Sequence, residues 1–223
     1  MGGGITVSSP ESEGGKPSQA LLETYKQFPT SILSDALDRM NCMHSGLKAL
    51  VPESHICGPA LTVRCYPGDN LMCHYAVHKA NPGDVLVVDG AGYTEGAIWG
   101  ALLSRSAAVR GLGGTVIDGA ARDRVELRTI GYPVYARAVT PRGVFKTRRG
   151  EINVSVSCGG LAVSPGDLIV GDEDGIVVVP CRLMTQVAEK ASQILAKEKE
   201  MTACIERGQT LYDFLGLGKL FGE

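Results

Sequence analysis

The sequence has no apolar run near the roughly 20 residues that a membrane-crossing helix needs, so no membrane-spanning helix is expected. It also lacks a surplus of either charge: 22 Lys and Arg stand against 24 Asp and Glu, a formal net charge of −2. That balance gives no electrostatic reason to expect nucleic acid or an anionic membrane as partner. The cysteines Cys42, Cys57, Cys65, Cys73, Cys158, Cys181 and Cys204 are odd in number and include no CxxC pair. This argues against a zinc site or disulfide framework and points to reduced thiols in a cytoplasmic protein. Met1–Gly15 has neither a basic n-region nor an apolar h-region, so it does not read as a signal peptide. Its Gly and Ser content predicts a disordered tail over 1–16, ahead of a single domain over 17–223.

Several enzyme signatures are missing as well. DGAGYTEG has the wrong spacing for a GxGxxG dinucleotide loop, no GK[ST] closes a P-loop, and no GxSxG elbow occurs. His74 and His78 stand at i,i+4, but Tyr75 occupies the place where HExxH needs a glutamate. The pair is therefore an incomplete metal motif.

What is present is ordinary globular material, 44% hydrophobic and 21% charged. Residues 18–27 and ILSDALDRM read as helices, the second capped by Thr30 or Ser31, with Ile32, Leu33, Ala36, Leu37 and Met40 on one stripe. Residues 55–66 read as a strand, and Asp69 or Asn70 can cap the helix LMCHYAVHKA. VLVVDG, Val85 to Gly90, is a wholly apolar strand of the kind buried on both faces. A glycine-rich approach and a helix from about Ala97 to Arg110 follow. TVID, a third helix starting near Asp123, and the strand VYARAV come next. Strand and helix alternate about every dozen residues, the pattern of parallel βαβ units. Beyond Thr140, INVSVS, LAVS and DLIVGDEDGIVVVP read as three β runs, and Leu183 to Arg207 as a long amphipathic helix. The class is α/β, with β-rich additions on a central, mostly parallel sheet.

Two loops lie at the carboxyl ends of apolar strands, where open α/β sheets place ligands: Asp89 to Leu103 and Asp118 to Glu126. In the second, Arg122 and Asp123 stand at a helix start, whose free N–H groups and dipole favour anions. Arg122 offers a bidentate fork for a carboxylate or phosphate. Asp123 offers a hard oxygen for Mg²⁺ or Mn²⁺, and Glu126, on the same helix face, could hold a water of that ion. The plain alternative is a capping Asp and a surface ion pair. Trp99 could line a pocket or simply fill the core. GDEDG places Asp172, Glu173 and Asp174 in one turn, either a solvated hairpin or a carboxylate cluster that completes a site.

VLVVDG, AIWG-LL, GGTVIDGAARDRVELRTIGYPVYARAVTPRG and SPGDLIVGDEDGIVVVP together resemble the 4-hydroxy-4-methyl-2-oxoglutarate / 4-carboxy-4-hydroxy-2-oxoadipate aldolases. That family also includes ribonuclease E activity regulator A-like proteins. The similarity runs from about Thr30 to about Lys190. The resemblance implies a swivelling β/β/α sandwich, a homotrimer or hexamer, and a Mg²⁺ or Mn²⁺ ion held by Asp123, with Glu126 supporting its water. It implies that Arg122 binds the carboxylate of a small 2-keto acid and stabilises an enolate. The amides of Gly100, Ala101, Leu102 and Leu103 would grip that carboxylate, and Asp172, Glu173 and Asp174 would come from a neighbouring subunit. The implied activity is a lyase that releases pyruvate from a 4-hydroxy-2-keto acid or decarboxylates oxaloacetate. The rival is a non-catalytic, ribonuclease-regulator-like binding protein. A methyltransferase is a weaker third, since no glycine-rich cofactor motif supports it. One departure stands out: where aldolases of this kind carry an acid after the loop glycine, this sequence has Ala101. Glu95, in the same loop, is the candidate replacement.

Overall fold

The computed structural model describes residues 17–222, so the expected tail lies outside the described residues. The chain opens with α1 (Gln19–Tyr25) and α2 (Thr30–Ala36), then a short strand β1 (Lys48–Ala49). The centre alternates as the sequence predicts: β2 (Ile56–Arg64), α3 (Leu71–Lys79), β3 (Val85–Trp99), α4 (Ala101–Val109), β4 (Gly114–Ala121), α5 (Arg124–Ile130) and β5 (Val134–Val139). Five short strands follow: β6 (Glu151–Ile152), β7 (Val156–Cys158), β8 (Leu161–Val163), β9 (Leu168–Gly171) and β10 (Ile176–Val179). The chain ends in α6 (Met184–Glu206) and α7 (Leu211–Leu215). Among the described residues no helix is long and apolar enough to cross a membrane.

The sheet order is β1-β5-β4-β3-β2-β9-β10, with β6 paired to β2. The four central strands are parallel, as short βαβ crossovers require, while β1, β6, β9 and β10 add antiparallel pairs at the flanks. Side-chain alternation sorts the layers. Leu86 and Val88 face one core with α3, α4 and α5, whereas Val85 and Val87 face a second core closed by the β7–β8 hairpin. Further along, Ile169 and Val178 join that second core, while Leu168, Val170, Val177 and Val179 pack under α1, α2 and α6. The result is a single curled α/β sandwich with a mostly parallel central sheet.

Three local expectations need correction. The helix expected from Ala97 begins at Ala101, because Ala97, Ile98 and Trp99 are buried and rejoin the sheet opposite Ala120 and Ala121. Between the Asp89–Asp118 and Trp99–Ala121 pairs, β3 advances ten residues while β4 advances three, so the glycine-rich stretch is a series of bulges. The second helix stops at Ala36, because Asp38, Arg39 and Asn41 take left-handed backbone, which leaves Met40 66% exposed. Its start is capped neither by Thr30 nor by Ser31. Asp172, from the turn between β9 and β10, accepts from Thr30 N at 2.8 Å and from Thr30 Oγ1 at 2.7 Å.

Asp172 therefore joins two distant segments. Burial pushes its carboxyl up, but the bonds from Thr30, Asp174 and Gly175 outweigh this and hold it below the usual carboxylate value. Replacing Asp172 with Ala is expected to cost about 1–2 kcal/mol in urea melts, the range of a lost helix cap. Asp174→Ala, in the same turn but exposed, is expected to stay within about 0.5 kcal/mol. A lowered carboxyl stabilises above its unfolded pKa, near 4, and the gain is lost as pH falls below it. The gap between wild type and Asp172→Ala should thus narrow from pH 7 to pH 3.

Candidate functional site

The site forms where two strands end side by side. At the end of β3, Gly100 is extended, and α4 starts immediately after it. At the end of β4, Arg122 N donates to Trp99 O at 3.0 Å, which locks the two exits together. Asp123 then takes a left-handed conformation (φ 64°, ψ 39°), unusual for a residue with a side chain. Its main-chain carbonyl accepts from Leu127 N, so it starts α5, but its side chain makes no cap bond to that helix. Instead Asp123 Oδ2 accepts from Ala101 N at 3.1 Å, at the start of the neighbouring helix. Asp123 therefore does not cap its own helix: its carboxylate is turned across to α4, where it accepts from the first N–H of that helix.

Gly100 is required for this crossing. A Cβ there would lie 2.6 Å from Asp123 Oδ2 and 3.1 Å from Arg122 Cγ. Arg122 Nε stands 3.6 Å from Asp123 Oδ2, and its Nη1 lies against Gly143. Glu126 Oε1 is 3.6 Å from Arg105 across the α4–α5 surface, an exposed pair that restrains it weakly. Leu102 and Leu103 contribute the unpaired N–H groups that every helix start leaves.

These residues enclose a cavity of about 340 Å³. Its lining includes Gly100, Ala101, Leu102, Leu103, Arg122, Asp123 and Glu126, all singled out from the sequence. Trp99 does both jobs proposed for it: it is buried, donates to Ser104 Oγ at 2.8 Å, and also lines the cavity. Glu95, by contrast, is exposed and is not part of the lining. Nor is the acidic turn, whose Asp172 is bound to Thr30 and whose Glu173 accepts from Glu53 N at 3.1 Å. A neighbouring cleft of about 550 Å³ shares Gly143 and Val144 but includes neither Arg122 nor Asp123.

Another wall of the cavity was not legible in the sequence. It consists of Asn70 and His74 from the start of α3 and Gly143, Val144 and Lys146 from the loop after β5. Asp69, 3% exposed, holds that loop in place. Its Oδ2 accepts from Thr147 N at 2.7 Å, Thr147 Oγ1 at 3.1 Å and Arg148 N at 3.0 Å, while Oδ1 accepts from Leu71 N at 2.9 Å. Burial pushes the Asp69 carboxyl up, yet these bonds together hold it below its usual value. Burial and the nearby Lys146 cation both push the imidazole of His74, from the i,i+4 pair, below its usual value.

Among the described residues no group of three or more His, Cys, Asp and Glu gathers as a metal cage. The cavity instead offers two carboxylates, Asp123 and Glu126. That set fits Mg²⁺ or Mn²⁺, which take one or two protein carboxylates and keep waters, and does not fit a structural zinc site.

The RraA-like family, described as Aldolase/RraA, matches residues 30–178. A Halalkalibacterium halodurans protein named "Putative 4-hydroxy-4-methyl-2-oxoglutarate aldolase" is 40% identical over 185 residues, 82% of this chain and 88% of that protein. An uncharacterized Pseudomonas syringae protein of known structure superposes with a TM-score of 0.80 at 29% identity, over 89% of this chain and 98% of that one. The RNA-processing inhibitor RraA from Thermus thermophilus gives a TM-score of 0.64 at 32% identity, over 68% and 92%. With a profile that spans most of its length and a relative at this identity, the chain belongs to the RraA-like family.

Proposed function

We propose that this protein is a divalent-metal-dependent lyase. It cleaves a C–C bond of a 4-hydroxy-2-keto acid to give pyruvate, decarboxylates oxaloacetate, or does both. The observation that carries this reading is the outward turn of Asp123, set in left-handed backbone beside Arg122 and the start of α4. A residue that capped only its own helix would not need that geometry. The aldolase name of the Halalkalibacterium halodurans relative supports the same reaction class.

In this scheme Arg122 binds the keto acid's carboxylate through its planar fork, aided by the Leu102 and Leu103 amides. Asp123 would hold Mg²⁺ or Mn²⁺ directly, and Glu126 would do so through water. The ion would supply positive charge beside the keto oxygen as an enolate develops. Arg122 stabilises the same charge from the protein side. Of the acidic turn, Asp172 is bound to Thr30 and one Glu173 oxygen accepts from Glu53 N, which leaves Asp174 and the other Glu173 oxygen for a neighbouring subunit's site in a trimer or hexamer. A second reading, a non-catalytic regulator, is favoured by Ala101 and by the likeness to the Thermus RraA. Pyruvate release from a panel of 4-hydroxy-2-keto acids and oxaloacetate, with and without Mg²⁺ or Mn²⁺, decides between the two.

Asp123→Asn keeps an acceptor for Ala101 N, so the variant is expected to fold and to lose activity. Activity that survives both this change and exhaustive chelation would falsify the metal reading. Gly100→Ala reaches the same group differently. The clash is with a carboxylate end that can swing away, so melting should shift little while activity falls on the order of 10²-fold. An unchanged rate means that the Asp123 position is immaterial. Arg122→Lys keeps charge but loses the fork and is expected to cost on the order of 10²-fold or more; wild-type turnover would make Arg122 a surface ion-pair residue.

Ala101 decides between the two reactions. Aldol cleavage removes a proton from the 4-hydroxyl, whereas carbon dioxide leaves without a base. Positioned acid–base groups contribute about 10²–10⁴-fold. The wild type is therefore expected to decarboxylate oxaloacetate measurably and to be a poor aldolase. Ala101→Asp should raise aldol cleavage more than decarboxylation. Efficient wild-type aldol cleavage, undiminished in Glu95→Gln, would count against this assignment.

A further inference from the structure

Cys65 and Cys73 stand on either side of the turn that begins the second wall of the cavity. Cys65 follows the last residue of β2, and Cys73 lies in the first turn of α3. Both are free thiols, and their sulfurs are 3.6 Å apart in the core shared with α3, α4 and α5. A disulfide holds its sulfurs about 2.05 Å apart, so a closure of roughly 1.5 Å would join them. Between the two lie Asp69, which binds the loop after β5, and Asn70; His74 follows Cys73 directly. The thiols are not equivalent. Cys73 is fully buried, and its hydrogen bond with Cys65, followed by burial, pushes its thiol well above the usual value. Cys65 is 6% exposed and lines a separate cleft of about 230 Å³ with Arg64, Tyr66, Arg149 and Gly150. A small oxidant entering that cleft meets Cys65 first.

We propose that Cys65 and Cys73 form a peroxide-sensitive dithiol whose reversible disulfide locks the Asn70 and His74 wall of the cavity. The proposal goes beyond the keto-acid reading and does not depend on it. In the first step the Cys65 sulfur attacks one oxygen of hydrogen peroxide. The S–O bond forms, the O–O bond breaks, and the departing hydroxide takes the Cys65 proton and leaves as water. Cys73 then attacks the Cys65 sulfur. The S–S bond forms, the S–O bond breaks, and the Cys73 proton leaves with the hydroxyl as a second water. The two thiols give up two electrons, which reduce one peroxide to two waters. A dithiol reductant reverses the bond by exchange. The closed loop spans Tyr66 to Met72, so the bond restrains local opening of the wall.

The test uses the full-length protein, treated with hydrogen peroxide under native conditions and then alkylated. Cleavage before Asp69 separates the two cysteines unless they are bridged. The expected product is a linked Cys65–Cys73 peptide, lighter by two hydrogens and lost on treatment with dithiothreitol. Amide exchange over residues 66–80 is expected to slow on the order of tenfold in the oxidised protein. Cys73→Ala is expected to show no slowing and to hold Cys65 as a sulfenic acid that dimedone captures. If Cys73→Ala does not fold, the wild-type peptide map and exchange decide. Cys65 and Cys73 left as thiols while the exposed Cys42 is oxidised overturn the assignment and leave the pair as core packing. Cys65 carried to a sulfinic acid without a bridge, or no captured Cys65 in a folded Cys73→Ala, overturns it as well. A bridge that leaves exchange over 66–80 unchanged overturns the lock on the cavity wall.

Discussion

The site depends on one contact between two helix starts: the Asp123 carboxylate against the Ala101 N–H, 3.1 Å away. Three features must coincide for it. Residue 100 must lack a side chain, since a Cβ would meet Asp123 Oδ2 at 2.6 Å. Asp123 must accept left-handed backbone, which Asp tolerates better than most residues. And β3 and β4 must end in register, which the bond from Arg122 N to Trp99 O secures. Each strand alone is ordinary. Their joint exit places a helix start, a guanidinium and a carboxylate around one cavity.

That geometry explains which parts of the site could be read in the sequence. Arg122 to Glu126 directly follow an apolar strand, so local sequence announces that strand end, whereas Gly100 to Leu103 fall inside the helix expected from Ala97 and are reached through the family resemblance; the parallel sheet brings the two together. The remaining wall has no such signal. Asn70 and His74 follow a strand two positions away in the chain order, and Lys146 lies on a loop with neither periodicity nor motif. What joins them is Asp69, whose helix-capping role was legible, but whose second oxygen binds Thr147 and Arg148 across the fold. Side-chain bonds over about eighty residues of separation leave no trace in spacing. The same limit applies to Asp172. An acidic hairpin turn reads as solvated, and only the fold shows it holding Thr30.

The misplacement of the helix expected at Ala97 has a different cause. Glycine-rich sequence after a strand usually signals a loop into a helix, and here the chain instead bulges and returns to the sheet for Ala97, Ile98 and Trp99. Burial of Trp99 overrides the local signal. Its indole bond to Ser104 then ties the strand end to the first turn of α4. The bulged excursion is what allows β3, much longer than β4, to finish level with it.

Ala101 bears on how the two walls of the cavity divide their work. The Arg122 and Asp123 side offers a guanidinium, a carboxylate and the start of α4. The other wall carries Asn70, His74 and Lys146, and burial with the Lys146 cation pushes the His74 imidazole below its usual value. Ala101, 3% exposed, sits among the first group and brings no proton chemistry of its own. On the keto-acid reading, binding of the acid and removal of a proton from it are separate tasks, and the first can persist where no acid follows Gly100. On that reading a member of the family with this arrangement would still bind a keto acid while turning it over slowly, which brings the catalytic and the binding-protein readings of the fold closer than their names suggest.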